Sequence, residues 1–217
     1  MTDFRFDIIA YYLPILLKGT LLTIGISFAG IIFGSMLGLI MGFGRMSSKV
    51  YFHLPTACYI NFFRGTPLLV QVLMVHFGLI PLLLDRSDPI LAAIVALTLN
   101  SAAYTAEIFR AGIQSVEKGQ TEAALSLGMT RRQTMRYIIL PQAIKRMIPA
   151  FGNEFIVLIK DSSLVAIIAA PELMYYANSM RGQYMRVWEP YITASIIYFI
   201  LTYSLSKLLN WFEKRIN

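Results

Sequence analysis

The chain has a single cysteine, Cys58, and only two histidines, His53 and His76. One thiol excludes an intrachain disulfide and any cysteine-based metal site, and two isolated imidazoles are too few for a metal centre. Charge is scarce too: 14% of the 217 residues are charged and 57% are hydrophobic, whereas soluble domains carry roughly a quarter charged residues. No polar stretch is long enough to fold as a soluble catalytic unit, and mean hydropathy is +0.62. A basic amino-terminal run is also missing. Thr2-Asp3-Phe4-Arg5-Phe6-Asp7 is mildly acidic, and no small-residue cleavage site follows the apolar Ile8 to Leu17. That segment is therefore expected to be an interfacial helix leading into a first span, not a signal peptide. The net charge of +7 would suit a polyanion, but in a chain this apolar lysine and arginine mark cytoplasmic loops. Nucleic acid is not expected as a partner; the lipid bilayer is.

What is present is long apolar runs, each near the ~20 residues that cross the ~30 Å of bilayer hydrocarbon. An all-α integral membrane chain with five spans is expected, a single domain over 1–217. Between Lys18 and Arg45 there is no charge at all, which sets the first span at about 19–44. It carries Gly30, Gly34, Gly38 and Gly42 at four-residue spacing, a pattern that lets another backbone approach closely. The second, about 51–84, is interrupted at Arg64-Gly65-Thr66-Pro67, because proline removes a donor and disfavours helix in the residue before it. The third covers about 89–111 and the fifth about 190–209. The fourth, about 147–170, contains Asn153, Glu154, Lys160 and Asp161 at i, i+1, i+7 and i+8, which collects them on one helical stripe and leaves the other faces apolar.

The charge bias orients these spans. Arg45 and Lys49, the lysines and arginines from Arg110 to Arg146, and Lys207, Lys214 and Arg215 fall on one side; only Arg5, Lys18, Arg86, Arg181 and Arg186 fall on the other. The positive-inside rule then places the N-terminus outside and the C-terminus in the cytoplasm, with a cytoplasmic loop at about 112–141. This loop reads as a short helix with good formers at 122–127 and Gly128 as its C-cap, followed by a second helix N-capped by Thr130. A rigid helical knuckle of this kind suits docking into a partner's groove.

Glu122-Ala123-Ala124, then Gly128, then Ile139-Leu140-Pro141 resembles the "EAA" loop of ABC importer permeases. Phe63-Arg64-Gly65-Thr66-Pro67-Leu68-Leu69-Val70-Gln71 and Asn100-Ser101-Ala102-Ala103-Tyr104-Thr105-Ala106-Glu107-Ile108-Phe109-Arg110-Ala111-Gly112 resemble its polar amino-acid branch, and the resemblance runs from about residue 15 to 212. It implies a type I ABC importer fold in a prokaryotic cytoplasmic membrane. It also implies that Glu122, Ala123, Ala124 and Gly128 belong to a coupling helix seated on a partner ATPase. The implied partners are two ATPase subunits, a second permease copy that is identical or a related chain, and an extracytoplasmic solute-binding protein. The chain has no Gly-rich phosphate loop, so ATP and Mg would be bound by the ATPase, with no cofactor and no covalent chemistry in this chain.

Polar groups at membrane depth are the candidate solute contacts, because a charge at the bilayer centre costs about 2.5–3.5 kcal/mol. Glu154, Lys160 and Asp161 therefore face the bundle interior. Either Lys160 pairs with one of the carboxylates as structural glue, or a carboxylate stays free to meet a solute's cationic group. Asn100, Tyr104 and Glu107 share one helical face; the first two can line a route, while Glu107 pairs with Arg110 at i, i+3. Thr66, Leu68 and Gln71 follow the helix break, where backbone can meet solute, and Arg64 holds that break in place. Trp188 and Trp211 read as interfacial anchors. Two acids against one base on the fourth stripe lean towards a cationic amino acid: arginine, lysine or histidine. An ion-coupled secondary transporter or channel is the alternative, which five spans without an internal repeat fit poorly. An intramembrane enzyme using Glu154 and Asp161 as acid and base lacks an accompanying nucleophile or metal-ligand set.

Overall fold

The computed structural model describes residues 4–216; Thr2 and Asp3, read above as part of the acidic N-terminal segment, and Asn217 lie outside that range. Every regular element among the described residues is helical. Helix α1 (Phe6–Met46) is continuous through Pro14, so the expected interfacial helix and first span form one rod. Its 41 residues extend ~61 Å at 1.5 Å per residue, twice the hydrocarbon thickness.

The seam between α1 and α5 (Pro89–Gln114) is the most extensive helix pairing in the molecule. Gly30, Gly34, Gly38 and Gly42 form the buried edge of α1, and α5 answers with Leu97, Ser101, Ala102, Thr105 and Ala106. A Cβ at Gly34 would stand 2.8 Å from Ser101 Cβ, and one at Gly38 would stand 2.8 Å from the Ala102 carbonyl oxygen. Thr105 Oγ1 crosses the seam to donate to the Gly34 carbonyl at 3.1 Å. The four-residue glycine spacing thus does what small residues do in lipid, letting two backbones meet at van der Waals distance.

Helices α2 (Val50–Gly65) and α3 (Leu68–Met74) meet at the expected break around Thr66-Pro67. Beyond α3 a π-helical turn, Val75–Leu79, leads into α4 (Ile80–Leu84). The two limbs diverge by 110°, so residues 50–84 form an angle, not a straight rod. Among the described residues three helices, α1, α5 and α10 (Trp188–Ile216), are long and apolar enough to cross a membrane, and the bent pair adds a fourth if its limbs count as one span.

After α5, α6 (Lys118–Ser126) and α7 (Arg131–Thr134) form a hairpin. A second π turn, Met135–Ile139, feeds α8 (Leu140–Asp161). The run expected to span 147–170 is therefore not one helix. It tightens into a 3-10 segment, Ser162–Ile168, and stops at Ala169 in the left-handed region. Helix α9 (Leu173–Tyr184) fills the stretch between the expected fourth and fifth spans, where no element was expected, and α10 follows. Three apolar clusters hold the bundle. A central one joins Ile26, Val72, Leu97, Leu158 and Val165. A second unites the N-terminal part of α1 with α9 and α10 through Leu16, Leu173 and Met180. A third packs Val116, Ile139, Ala143 and Met147 beneath the hairpin.

Substituting Gly38 with alanine should separate α1 from α5, because the new Cβ would collide with Thr105 Oγ1 and stand 2.8 Å from the Ala102 carbonyl oxygen, which is backbone; a cost of about 1–3 kcal/mol is expected for such overpacking. Thermal unfolding of the detergent-solubilised protein checks this against Gly25→Ala, where a Cβ meets nothing within 4 Å and stability should not fall.

Candidate functional site

The hairpin is fixed by its own backbone. Leu127 is the C-cap of α6, and Gly128 follows at φ +81°, a conformation glycine adopts without steric penalty. Gly128 N–H donates to the Leu125 carbonyl at 3.0 Å and Met129 N–H to Ala124 at 3.1 Å, the bond pair of a Schellman motif. Two residues on, Thr130 and Gln133 close a capping box: Thr130 Oγ1 accepts from Gln133 N–H at 3.3 Å, and Gln133 Oε1 accepts from Thr130 N–H at 2.8 Å. Consecutive caps leave little freedom between the helices. Of the four residues attributed to coupling, Ala124 is buried beneath the hairpin, while Glu122, Ala123 and Gly128 are exposed beside Leu127, which is 84% exposed. That apolar tip is a surface feature the motif alone did not single out.

The candidate solute contacts separate into three environments. Thr66, Gln71 and Asn100 form an internal network. Gln71 Nε2 donates to the carbonyls of Phe63 (2.8 Å) and Thr66 (3.1 Å) and to Thr66 Oγ1 (2.9 Å), while Asn100 Nδ2 donates to Gln71 Oε1 at 2.9 Å. One buried amide therefore caps the carbonyls that Pro67 leaves without helical partners and ties the break to α5. Leu68 packs against the central apolar cluster.

Tyr104 and Glu154 open instead on one cavity of about 600 Å³ between α5 and α8, shared with Arg64, Glu107, Arg146 and Asn153. Glu154 is buried, and among the described residues no ion pair reaches it. Lys160 is exposed and Asp161 half-buried at the end of α8. Among the described residues Lys160 forms no ion pair with either carboxylate.

On the lining of the same cavity Glu107 gathers three arginines. Arg110 lies 2.7 Å away, Arg45 from the end of α1 lies 3.8 Å away, and Arg64 from the end of α2 lies 3.9 Å away. The guanidinium of Arg64 also sits 5.5 Å from the Tyr104 ring centroid, in cation–π range. The expected Glu107–Arg110 pair is present; Arg64, expected to hold the helix break, instead reaches Glu107 and Tyr104, while Gln71 bonds the carbonyls of the break, and the convergence of Arg45 was not visible at such sequence separation.

A second carboxylate escaped the sequence reading altogether. Glu172 is fully buried and caps α9 by accepting from Tyr175 N–H at 2.8 Å. Its other oxygen accepts from Thr23 Oγ1 at 3.2 Å and Tyr198 Oη at 2.9 Å. Helices α1, α9 and α10 are thereby joined through one side chain. A glutamate just beyond an apolar run is ordinarily solvated, so only the following helix start would have hinted at a cap.

A chain from a crystal structure of an amino acid ABC transporter with histidines superposes at a TM-score of 0.93 and 42% identity, covering 99% of this chain and 100% of that one. The architecture is thus that of a membrane transport subunit with the type I ABC importer fold. The glutamine transport system permease protein GlnP of Escherichia coli (strain K12) is 38% identical over 204 residues, 94% of this chain and 93% of that protein. The arginine transport system permease protein ArtQ of Bacillus subtilis (strain 168) is 38% identical with the same coverage. Residues 34–217 match the family described as binding-protein-dependent transport system inner membrane component, and the chain belongs to that family.

Replacing Gln71 with leucine should leave the Asn100 amide and the Phe63 and Thr66 carbonyls without their partner, at about 1–3 kcal/mol for each buried group left unsatisfied. A lowered melting temperature of the solubilised protein is the expected result, and Asn100→Leu should add little in the double variant, since the two side chains form one network.

Proposed function

We propose that this chain is the translocating subunit of an ATP-driven importer for a polar, cationic amino acid, working as five spans with its N-terminus outside and its C-terminus in the cytoplasm. In this reading α8 and the 3-10 segment together supply the fourth span, and the bent pair supplies the second. Two permease chains, identical or related, stand side by side, with two ATPase subunits beneath and a solute-binding protein outside. ATP and Mg are bound by the ATPases, and this chain carries out no covalent step. The family match and the relatives named for amino-acid transport support the importer role; the names glutamine and arginine pull the choice of solute in two directions.

The observation that carries the cationic reading is Glu154, a buried carboxylate without an ion partner that opens on the α5–α8 cavity. A buried unpaired charge is costly, and an arriving ammonium or guanidinium relieves that cost. Tyr104, on the facing helix, adds an aromatic face and a hydroxyl. Lys160 and Asp161, Asn100, Thr66, Leu68 and Gln71 border the route and shape it, with Gln71 and Asn100 holding the break in this conformation. At the cytoplasmic end the α6–α7 hairpin transmits the ATPase stroke: Glu122, Ala123, Ala124 and Gly128 form the docking helix, and its doubled caps make it move as one body.

The test is ATP hydrolysis by the purified complex with its binding protein, titrated with amino acids. Arginine, lysine or histidine should stimulate it, and Glu154→Gln or Asp161→Asn should reduce that stimulation at least about tenfold, the equivalent of ~1.4 kcal/mol. Stimulation by glutamine and not by any cationic amino acid would overturn the choice of solute. Gly128→Val, which forces a β-branched residue to positive φ, should leave hydrolysis running while uptake into proteoliposomes fails; coupled uptake at the native rate would remove the hairpin from the coupling role.

A further inference from the structure

The α5–α8 cavity is electrically asymmetric along its length. Glu154 and Arg146 both line it at different depths, eight residues apart on the same helix, or ~12 Å at 1.5 Å per residue. Arg64 joins Arg146 on the lining, and its side chain is 44% exposed. Behind Arg64 stand Arg45 and Arg110, and the three guanidinium groups share the single carboxylate of Glu107. This cluster therefore keeps an excess of positive charge even with every ion pair closed. Arg146 adds to it, because its guanidinium contact is the neutral Ser115 carbonyl, not an acid.

We propose that these arginines form a cation-rejecting mouth, which keeps inorganic monovalent cations of the cytoplasm off Glu154 when the cavity opens inward. The inference rests on the reading above, in which this cavity is the chain's share of the route and its arginine cluster faces the cytoplasm. The physical need is plain. An unpaired buried carboxylate attracts any small cation that reaches it, and potassium or sodium would compete with the solute. Charges act over ~8 Å at physiological ionic strength, so a cation entering at Arg146 and Arg64 feels their field before that of Glu154. Positive side chains lining a narrow passage exclude cations in this way in other membrane pores. An amino acid differs from a metal ion in carrying a carboxylate, which a guanidinium can hold while the solute passes.

The experiment uses the whole complex in proteoliposomes with ATP supplied outside, so that only molecules with their ATPases facing the medium work. Binding protein and a cationic amino acid are enclosed in the lumen. Amino-acid-stimulated ATP hydrolysis is compared in external potassium chloride and in N-methylglucamine chloride at equal ionic strength. The native complex should give the same rate in both salts. Arg64→Gln should slow about threefold or more in potassium relative to N-methylglucamine, Arg64→Lys should not, and the double variant Arg64→Gln/Glu154→Gln should lose the difference between salts. Arg146→Gln, on an exposed side chain, should show the same potassium sensitivity and decides the matter if Arg64→Gln fails to assemble. Equal rates in both salts for the neutralised arginine variants would overturn the proposal. Failure of the native complex to respond to amino acid in either salt would instead strike the importer reading.

Discussion

The seam between α1 and α5 sets the distance at which every other helix packs. Where Gly30, Gly34, Gly38 and Gly42 run along α1, the facing backbone of α5 comes into direct contact. In lipid there is little hydrophobic gain from pressing one apolar helix on another, so close van der Waals packing and interhelical hydrogen bonds must hold the pair. The Thr105 hydroxyl on the Gly34 carbonyl supplies the second of these. Once the seam is fixed, the two remaining flanks of α5 are available for the helix break on one side and for α8 on the other. The cavity lies along that second flank.

Polar side chains in the bundle then divide by whether this chain satisfies them. Gln71, Asn100 and Thr66 answer one another, and Glu172 collects hydroxyl and backbone donors from three helices. Both groups substitute for water where irregular backbone would otherwise be unsatisfied. Glu154 is different: it is buried, and among the described residues no cation pairs with it. The contrast separates groups that hold the fold from a group with capacity for something that arrives from outside the chain.

How much of this was legible in the sequence depended on the range of the interaction. The glycine spacing, the Gly128 stop and the Thr130 start are local signals, governed by sterics within a few residues, and the helices obey them. The break at Pro67 was equally local. The role of Gln71 was not, because an amide near a break has the same sequence signature whether it meets solute or repairs backbone; only the position of Asn100, 29 residues away, decides. Arg45 reaching Glu107 and Glu172 reaching Thr23 and Tyr198 depend on helices meeting across large separations, which periodicity cannot report. Helix α9 was missed because its polar residues hid a face that buries Leu173, Ala177 and Met180. The early end of α8 follows from a tightening to 3-10 geometry that apolar composition does not foretell.

The length of α1 has a mechanical consequence. One unbroken rod touches the α9–α10 cluster near its beginning, α5 through its middle and Glu107 through Arg45 near its end. A continuous backbone ladder of this kind links the two extremities mechanically, so a tilt of α1 about the glycine contact would be felt at both its first and its last contacts.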